Sequence, residues 1–191
     1  MEAETVTFLP VTAANWADFE TMFGANGACA GCWCMWWRLT RAEWTRQQYE
    51  PNHQAMRALV DAGHVPGILA YRKGQPVGWC SVAPRAEFPS LDRSQVLFPV
   101  DDLPVWSIVC FYIKRGQRRN GLSGALVQAA VDWARQNGAP AVEAYPVDSP
   151  ATFSSGAAFT GWASTFRRAG FIEVARRSPT RPVMRLDLTV V

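Results

Sequence analysis

The sequence has 191 residues, of which 49% are apolar and 18% are charged, with a formal net charge of +3. This size suffices for one well-buried domain, and the small basic excess gives no argument for a nucleic-acid partner. No run of about 18 apolar residues predicts a membrane helix, and no basic segment followed by an apolar run marks a signal peptide. Five cysteines, an odd number, argue against a disulfide framework, so we expect a reducing, cytoplasmic compartment.

The N-terminal part of the chain, residues 1–65, is predicted to be mainly helical after one short strand. Pro10 ends the strand, Thr12 is a candidate N-cap for the first helix, and Gly24 is a stop signal at its end. Pro51 separates two further helical segments. The predicted elements are the strand Thr5–Leu9 and the helices Thr12–Phe23, Arg41–Tyr49 and Asn52–Ala62.

A hairpin, a long loop and a buried strand are predicted next. The segments Ile68–Arg72 and Pro76–Ala83 flank Lys73-Gly74-Gln75, a sequence typical of a hairpin turn. Residues 84–104 contain four prolines and little periodicity, which indicates a long loop. Val105–Ile113 is a nearly continuous apolar and aromatic run, as expected for a strand buried on both faces.

The segment after this strand combines a glycine-containing turn with an amphipathic helix. Apolar residues recur at helical spacing from Leu122 to Trp133, and Asn137-Gly138 ends the helix. A short strand, Ala141–Tyr145, completes a strand–helix–strand unit whose strands should be parallel. The remaining predicted elements are the helix Ala157–Ala169 and the strands Phe171–Arg176 and Met184–Val190. The fold class is therefore α/β or α+β with a mixed sheet.

Residues 118–124, Arg-Arg-Asn-Gly-Leu-Ser-Gly, join the buried strand to the amphipathic helix. Glycine lets the backbone approach a ligand closely, and a helix start presents unpaired N–H groups and a partial positive charge. With two arginines alongside, this segment predicts a site for an anion such as a diphosphate. It lacks the Gly-Lys-Ser/Thr of a Walker motif and the third glycine of a dinucleotide fingerprint, so both are weak matches.

Arg118-x-x-Gly121-x-Ser123 resembles the acetyl-CoA diphosphate motif of the GNAT N-acetyltransferase superfamily, Gln/Arg-x-x-Gly-x-Gly/Ala, which follows a buried strand and opens a helix. Ser123 departs from the usual Gly or Ala, but it is small enough to leave the amide accessible. Residues 165–171, Thr-Phe-Arg-Arg-Ala-Gly-Phe, are similar to the end of the family's fourth helix. The order of elements along nearly the whole chain is also that of the family.

The resemblance implies one N-acetyltransferase domain over residues 1–191. Its parts would be acceptor-side helices in 1–65, the sheet and acetyl-CoA-binding core in 66–145, and a C-terminal helix and strands in 146–191. The sheet would have six to seven strands, mostly antiparallel, with a splayed parallel pair at its centre. About four helices would flank it.

Acetyl-CoA is the co-substrate that the resemblance implies. Its pantetheine would lie between the splayed strands, the first of which carries a bulge. A backbone N–H near Cys110 or Phe111 would polarise the thioester carbonyl. The cofactor-binding residues implied are Phe111, Tyr112, Ile113, Arg118, Arg119, Asn120, Gly121, Leu122, Ser123, Gly124 and Phe166.

Acetyl transfer to an amine requires a neutral nucleophile, and only about 1 in 2,500 lysine-like amines is neutral at pH 7. Because a CoA-like thiol leaves fairly well as thiolate, a base matters more than an acid. The candidate catalytic residues by position are Glu143, Tyr112 and Tyr145, with Asp148 as a further carboxylate. A solvated carboxylate at a strand end is the alternative for Glu143 and Asp148. Phe166 stands where many family members have a tyrosine acid.

Five tryptophans lie between residues 16 and 44 and surround a cysteine-rich run. In the family this segment lines the acceptor pocket, which implies that Trp33, Trp36, Trp37 and Arg38 form an aromatic wall with one cation for a planar or carboxylate-bearing acceptor. Core packing of the N-terminal helices is the alternative. The motif C-x-x-C-x-C at residues 29–34 offers three thiols, whereas structural zinc needs four ligands, so we expect no metal.

The predicted function is acetyl-CoA-dependent transfer of an acetyl group to an amine of a small molecule or a protein, by direct attack in a ternary complex. Two alternatives remain. One is a catalytically silent acyl-CoA-binding regulatory domain, and the other is a metal-binding interaction module that uses Cys29, Cys32 and Cys34. We expect no nucleic acid and no membrane as partner, and a homodimer if the final strand is exposed at a sheet edge.

Overall fold

The computed structural model describes residues 5–149 and 158–189. These residues form one seven-stranded sheet with the strand order β1-β2-β3-β4-β5-β7-β6. The strands are β1 (Val6–Pro10), β2 (Gly67–Arg72), β3 (Gln75–Pro84), β4 (Trp106–Ile113), β5 (Ala141–Ala144), β6 (Ile172–Arg176) and β7 (Pro182–Asp187). The predicted mixed sheet is confirmed, since all neighbouring strands are antiparallel except β4 and β5.

Strands β4 and β5 pair over three residues only. Trp106, Ser107 and Ile108 pair with Val142, Glu143 and Ala144. Strand β4 then continues to Ile113, whereas β5 ends at Ala144. Strand β4 also bulges, because Ser81 and Val82 of β3 face Cys110 and Ile108 and leave Val109 as the extra residue. The splayed pair and the bulge therefore agree with the prediction.

Six α-helices lie in the described ranges, more than the four or so expected. They are α1 (Trp16–Phe23), α2 (Arg41–Arg46), α3 (Glu50–Asp61), α4 (Pro89–Asp92), α5 (Leu122–Gln136) and α6 (Ala163–Arg168). The excess comes from short elements, since α4 is a single turn inside the predicted loop at residues 84–104. None of the helices among the described residues has the length and apolar character needed to cross a membrane.

Two layers of side chains cover the two faces of the sheet. Helix α5 packs its apolar side, including Leu126 and Val127, against Ile108 and other residues of the central strands. Helices α1 and α3 cover the opposite face, where Phe19 and Met56 contact a cluster that includes Trp79. Because β4 is buried between these layers, its side chains alternate between the α5 side and the α1 side.

Helix boundaries in the N-terminal part differ from the prediction. Residues 13–15 form a 3₁₀ turn, and α1 begins at Trp16 rather than at Thr12. The Asn15 side chain accepts a hydrogen bond from the Thr12 N–H (2.8 Å), which holds this turn apart from the helix. Pro51 lies in the first turn of α3, where its missing N–H costs no helical hydrogen bond.

The C-terminal elements are also shorter than predicted. Residues 158–160 form a turn and Trp162 forms an isolated bridge with Val147, so the helix predicted from Ala157 begins at Ala163. Ala157 lies outside the described residues. The last strand ends at Asp187, and Val190 is likewise outside them.

The expectation of an exposed final strand is wrong. Strand β7 lies between β5 and β6, so the sheet edges are β1 and β6. At the β6 edge Ile172 is 63% exposed and the neighbouring Glu173 and Arg176 carry charges. Charged side chains on an edge strand disfavour pairing between copies, so β7 gives no argument for a homodimer.

Gly31 offers a test of how the cysteine-rich loop is attached to α3. It has φ +63°, and a Cβ there would lie 2.2 Å from the Tyr49 nitrogen. Its carbonyl accepts hydrogen bonds from Tyr49 N–H and Asn52 Nδ2, both at 3.0 Å. Gly31→Ala should therefore lower the free energy of unfolding by about 3 kcal/mol, measured by chemical denaturation.

Gly24→Ala is the matched control. Gly24 has φ +62°, but a Cβ there would meet no atom within 4 Å, so only backbone strain of about 1 kcal/mol is expected. Equal losses in the two variants would contradict the close approach at Gly31.

Candidate active site

The start of helix α5 presents backbone N–H groups without partners. Gly121 precedes the helix in the left-handed conformation (φ +74°), and no side chain caps it. The first helical hydrogen bond runs from Ala125 N–H to the Gly121 carbonyl (3.2 Å), and the N–H groups of residues 118–124 donate to no backbone carbonyl of the described chain. A Cβ at Gly121 or Gly124 would meet no atom within 4 Å, so a ligand has room to approach.

Exposed arginines surround this helix start. The Arg118 Nε donates to the Ile113 carbonyl (2.9 Å), which ties the loop to the end of β4. Arg119 has φ +66°, a rare conformation for a residue with a side chain. Together with exposed Arg115 they add full positive charges to the partial charge of the helix, as binding of a diphosphate requires.

The bulge of β4 is held by groups from two other parts of the chain. The Trp37 indole Nε1–H donates to the Val109 carbonyl (3.0 Å). The Phe111 N–H donates to the Phe159 carbonyl (2.6 Å). Phe111 is one of the two residues whose amide the resemblance assigned to the thioester carbonyl, and here a carbonyl of the same chain already occupies it.

Residues 158–162, which we call the strap, bridge the diverging chains after β4 and β5. Besides the Phe159 contact to β4, the Gly161 carbonyl accepts from Val147 N–H (2.9 Å), and the Val147 carbonyl accepts from Ala163 N–H (2.9 Å). The strap is anchored from the C-terminal part as well, since Arg181 Nη1 donates to Thr160 Oγ1 (2.9 Å). It therefore lies in the gap where the prediction places the pantetheine.

A model of the Acetyltransferase (GNAT) family matches residues 31–153, which is more than half of the chain. The chain belongs to the GNAT family of acetyltransferases. This confirms the resemblance carried by Arg118, Gly121 and Ser123. A search of curated proteins by sequence finds no match.

Solved GNAT structures share the fold over nearly the whole chain. A GNAT acetyltransferase from Listeria monocytogenes 4b F2365 has a TM-score of 0.61 at 10% identity, covering 96% of this chain and 95% of that chain. An N-acetyltransferase from Staphylococcus aureus Mu50 has 0.57 at 12%, covering 97% and 99%. A Brucella melitensis GNAT acetyltransferase in complex with acetyl-CoA has 0.52 at 12%, covering 98% and 91%.

Phe166, at the position of the GNAT tyrosine, is fully buried in α6. Its ring contacts Phe111 (centroids 6.0 Å apart) and Phe171 (5.2 Å). A Cβ on Gly161 would lie 2.9 Å from it, so the ring also supports the strap. Phe166 thus packs beneath the gap between β4 and β5, while its role toward the cofactor stays a prediction.

Glu143 is only 1% exposed and belongs to a buried ionic network. Arg185 Nη2 lies 2.7 Å from one carboxylate oxygen and Arg85 Nη1 lies 3.6 Å from the other. The Tyr145 hydroxyl donates to Glu143 (3.0 Å) and contacts Ser107 (2.8 Å). Burial, followed by the charge of Glu143, raises the pKa of Tyr145 above its ordinary value. This geometry holds β5 to β7 and supplies no argument for proton transfer by either residue.

Asp148 and Tyr112 occupy different surroundings. Asp148 Oδ2 accepts from Arg167 (2.7 Å) and Arg176 (2.6 Å), and these bonds hold the pKa of Asp148 below its usual range. A carboxylate so engaged is a weak base. Tyr112 is half-buried on the α1 side of β4, with its ring 5.8 Å from Phe23, and its catalytic role stays a prediction.

The four predicted acceptor residues separate in the structure. Trp33 is 7% exposed and stacks on Phe23 (5.7 Å), Trp36 packs against Trp44 (4.8 Å), and only Trp37 reaches the bulge. Each of the three has its own packing partner, and their joint role in acceptor binding stays a prediction.

The fourth residue, Arg38, is 5% exposed and pairs with Glu87 (2.6 Å). Its Nε and Nη2 atoms are buried without a hydrogen-bond partner in the described chain. Binding of an acceptor carboxylate by Arg38 stays a prediction, but Glu87 already neutralises the guanidinium.

An open cleft of about 510 Å³ lies between α1 and α3. Trp33 forms part of its lining, so this residue retains some contact with solvent. The lining residues are Glu20, Thr21, Gly24, Ala25, Trp33, Tyr49, Glu50 and His53.

The cysteine motif does not assemble a metal site among residues 5–149 and 158–189, where no three His, Cys, Asp or Glu side chains are grouped to hold a metal. Cys29 is exposed, Cys32 is half-buried and Cys34 is buried. The metal-binding module therefore has no supporting geometry in the described part. Instead, Cys34 packs in the apolar cluster on the α1 side of the sheet, where its sulfur accepts a hydrogen bond from the Trp79 indole Nε1–H (3.3 Å), a contact that sequence spacing did not suggest.

Glu143→Gln tests the structural role of the buried network. Without the buried carboxylate, Arg185 and Arg85 keep only their partly exposed partners Asp101 and Asp92, so the free energy of unfolding should fall by about 3 kcal/mol. Glu173→Gln, which breaks a partly exposed pair on β6, should cost less than about 1 kcal/mol. Chemical denaturation measures both. A Glu143→Gln protein that is as stable as the control would contradict the network's role.

Proposed function

We propose that the protein transfers an acetyl group from acetyl-CoA to an amine of a small molecule or a protein, by direct attack in a ternary complex. The observation that carries this proposal is the uncapped start of α5, flanked by Arg118 and Arg119 and lying beside the splayed β4–β5 pair. Residues 118–121 are exposed, which supports the access of a diphosphate to this helix start. Five free thiols support a cytoplasmic location as part of the same proposal.

The diphosphate would be held by backbone N–H groups of residues 121–124 and by the arginines. The pantetheine arm would then run along β4 toward the bulge. The acetyl carbonyl would accept the hydrogen bond from Phe111 N–H that the Phe159 carbonyl now accepts. Such a donor stabilises negative charge that develops on the carbonyl oxygen as the amine attacks.

The acceptor amine must lose a proton before it attacks. Holding a lysine-like amine neutral at pH 7 costs about 4.6 kcal/mol. Glu143 and Asp148 are both engaged by arginines, so neither is free to accept that proton. The acceptor side of the site therefore has to supply another group that accepts this proton.

A catalytically silent CoA-binding domain is the second candidate. Phe166 removes the hydroxyl that would protonate the leaving thiolate, and the strap fills the gap that the cofactor needs. Acetyl-CoA consumption across a panel of small amines and peptide N-termini separates the candidates. Binding of CoA without turnover of any amine would favour the silent domain.

Gly124→Glu tests the diphosphate site. Position 124 has room for a side chain, and a carboxylate there would face the diphosphate, so CoA should bind about tenfold more weakly. Gly124→Gln has nearly the same shape without the charge and should recover most of that loss. Isothermal titration calorimetry with CoA alone gives both affinities. If the two variants bind CoA equally well, the diphosphate does not lie at this helix start.

Thr160→Val tests whether the strap competes with the cofactor. The variant removes the hydroxyl that accepts the hydrogen bond from Arg181, so it weakens the attachment of the strap. If CoA displaces the strap, this variant should bind CoA about fivefold more tightly, because less free energy opposes opening. Thr160→Ser keeps the hydroxyl and should match the unmodified protein. Weaker binding by Thr160→Val would mean that the strap in its present position belongs to the CoA site.

A further inference from the structure

The Trp37 side chain supports the residue of β4 that lies outside the strand ladder. Val109 is the extra residue of the bulge, and within the described chain it pairs with a residue of neither β3 nor β5. It is only 1% exposed, so its carbonyl is shielded from solvent. A buried carbonyl needs a hydrogen-bond donor, and the Trp37 indole Nε1–H is one, at 3.0 Å. The indole thus supports the bulge where the ladder does not.

The backbone of Trp37 is fixed separately, by helix α4. The Ser90 N–H donates to the Trp37 carbonyl (3.2 Å), and the Ser90 hydroxyl donates to the Leu39 carbonyl. The Trp37 ring packs in the same apolar cluster as Val109 and Leu91. Because its backbone and its ring are both held, Trp37 presents its N–H to the bulge in a defined position.

The carbonyl that Trp37 holds lies one peptide group before the amide that faces the gap. The Val109 carbonyl and the Cys110 N–H belong to one planar peptide group, and the Phe111 N–H belongs to the next. Only the two backbone dihedral angles of Cys110 separate these planes. Cys110 is itself held, because it pairs with Ser81 of β3. Fixing the first plane therefore limits the directions in which the Phe111 N–H can point.

The ring of Trp37 also contacts the strap. Its centroid is 6.3 Å from that of Phe159, whose carbonyl accepts the hydrogen bond from the Phe111 N–H (2.6 Å). Trp37 therefore lies beside the hydrogen bond that the thioester carbonyl would replace. The hydrogen bond from Trp37 to Val109 does not involve the strap, so displacement of the strap leaves it in place.

We propose that Trp37 is a positioning residue for acetyl transfer, an inference that rests on the proposed function. Its indole N–H holds the bulge so that the Phe111 N–H points at the thioester carbonyl oxygen. Negative charge develops on that oxygen as the amine attacks, and a donor that is already aimed stabilises it without reorganisation. Trp37 acts through the backbone of β4 and needs no contact with the acetyl group.

Trp36 provides the matched control, because it is the adjacent tryptophan and is also half-buried. Its ring packs against Trp44 (centroids 4.8 Å apart) and beneath the Arg41 guanidinium (4.3 Å). Trp36→Phe therefore removes an indole N–H from the same segment and leaves the hydrogen bond to the Val109 carbonyl intact.

The first experiment observes the thioester in protein saturated with acetyl-CoA that is isotopically labelled at the acetyl carbonyl. A hydrogen bond weakens a carbonyl bond, so the isotope-edited infrared band reports how well the Phe111 N–H is aimed. In Trp37→Phe this band should lie at higher frequency than in the unmodified protein, whereas Trp36→Phe should leave it in place.

A second variant keeps the shape of the side chain. Benzothienylalanine at position 37 retains the two fused rings but has sulfur in place of the indole N–H, and it should shift the band as Trp37→Phe does. This variant decides the question if Trp37→Phe does not fold. An unshifted band with acetyl-CoA bound overturns the positioning role.

The second experiment separates kcat from KM for the amine that the protein acetylates fastest. A donor that is aimed less well acts on the transition state, so Trp37→Phe should lower kcat and leave KM for acetyl-CoA unchanged. The loss should be about tenfold, less than the roughly 10²- to 10³-fold loss that follows removal of such a donor. An unchanged calorimetric stoichiometry of CoA binding excludes a loss of folded protein. Trp36→Phe should keep kcat.

The outcomes distinguish this inference from the proposed function. If Trp37→Phe has the kcat of the unmodified protein, the positioning role is overturned and acetyl transfer stands. If the band shifts in Trp37→Phe but no amine in the panel is acetylated, acetyl transfer is overturned and the orientation of the thioester by Trp37 stands. Protein that binds no acetyl-CoA overturns both.

Discussion

Strands β4 and β5 pair over three residues only, and the backbone groups beyond Ile108 and Ala144 that face the gap between the two strands need another partner. A buried N–H or C=O that stays unpaired costs about 1–3 kcal/mol, so an open gap between the strands would be unstable. The strap accepts hydrogen bonds from the N–H groups of Phe111 and Val147, and the Trp37 indole donates to the Val109 carbonyl. A cofactor that enters the gap must supply the same hydrogen bonds. A thioester carbonyl and the amides of pantetheine are groups of that kind.

The bulge of β4 makes a contact with the tryptophan- and cysteine-rich segment that core packing alone does not require. Inserting Val109 into β4 shifts the following residues by one position relative to β3. The segment before α2 contacts the bulge through Trp37, whose indole N–H donates to the Val109 carbonyl. Trp33 and Trp36 pack against Phe23 and Trp44 instead. One stretch of sequence thus combines core packing with a contact to the bulge of β4.

Local patterns predicted most of the elements and the glycine turn before α5, because a buried apolar run, a glycine turn and a helical period each leave a signal within a few residues. They did not predict pairings over long separations. Glu143 pairs with Arg185 of another strand, and Cys34 accepts a hydrogen bond from Trp79, which lies far later in the chain. The strap escaped prediction for a related reason. Residues 158–162 continue a helical pattern in the sequence, but hydrogen bonds from Phe111 N–H and Val147 N–H to their carbonyls hold them outside the helix.

The site separates its charges according to solvent exposure. The arginines at the start of α5 are exposed and free to meet a diphosphate, whereas Glu143 is buried and balanced by two arginines. A buried carboxylate without such cations would be strongly destabilised, because its charge would lose hydration and gain no partner. Charges at the exposed helix start keep their hydration, so they can face an anionic ligand without a partner in the core.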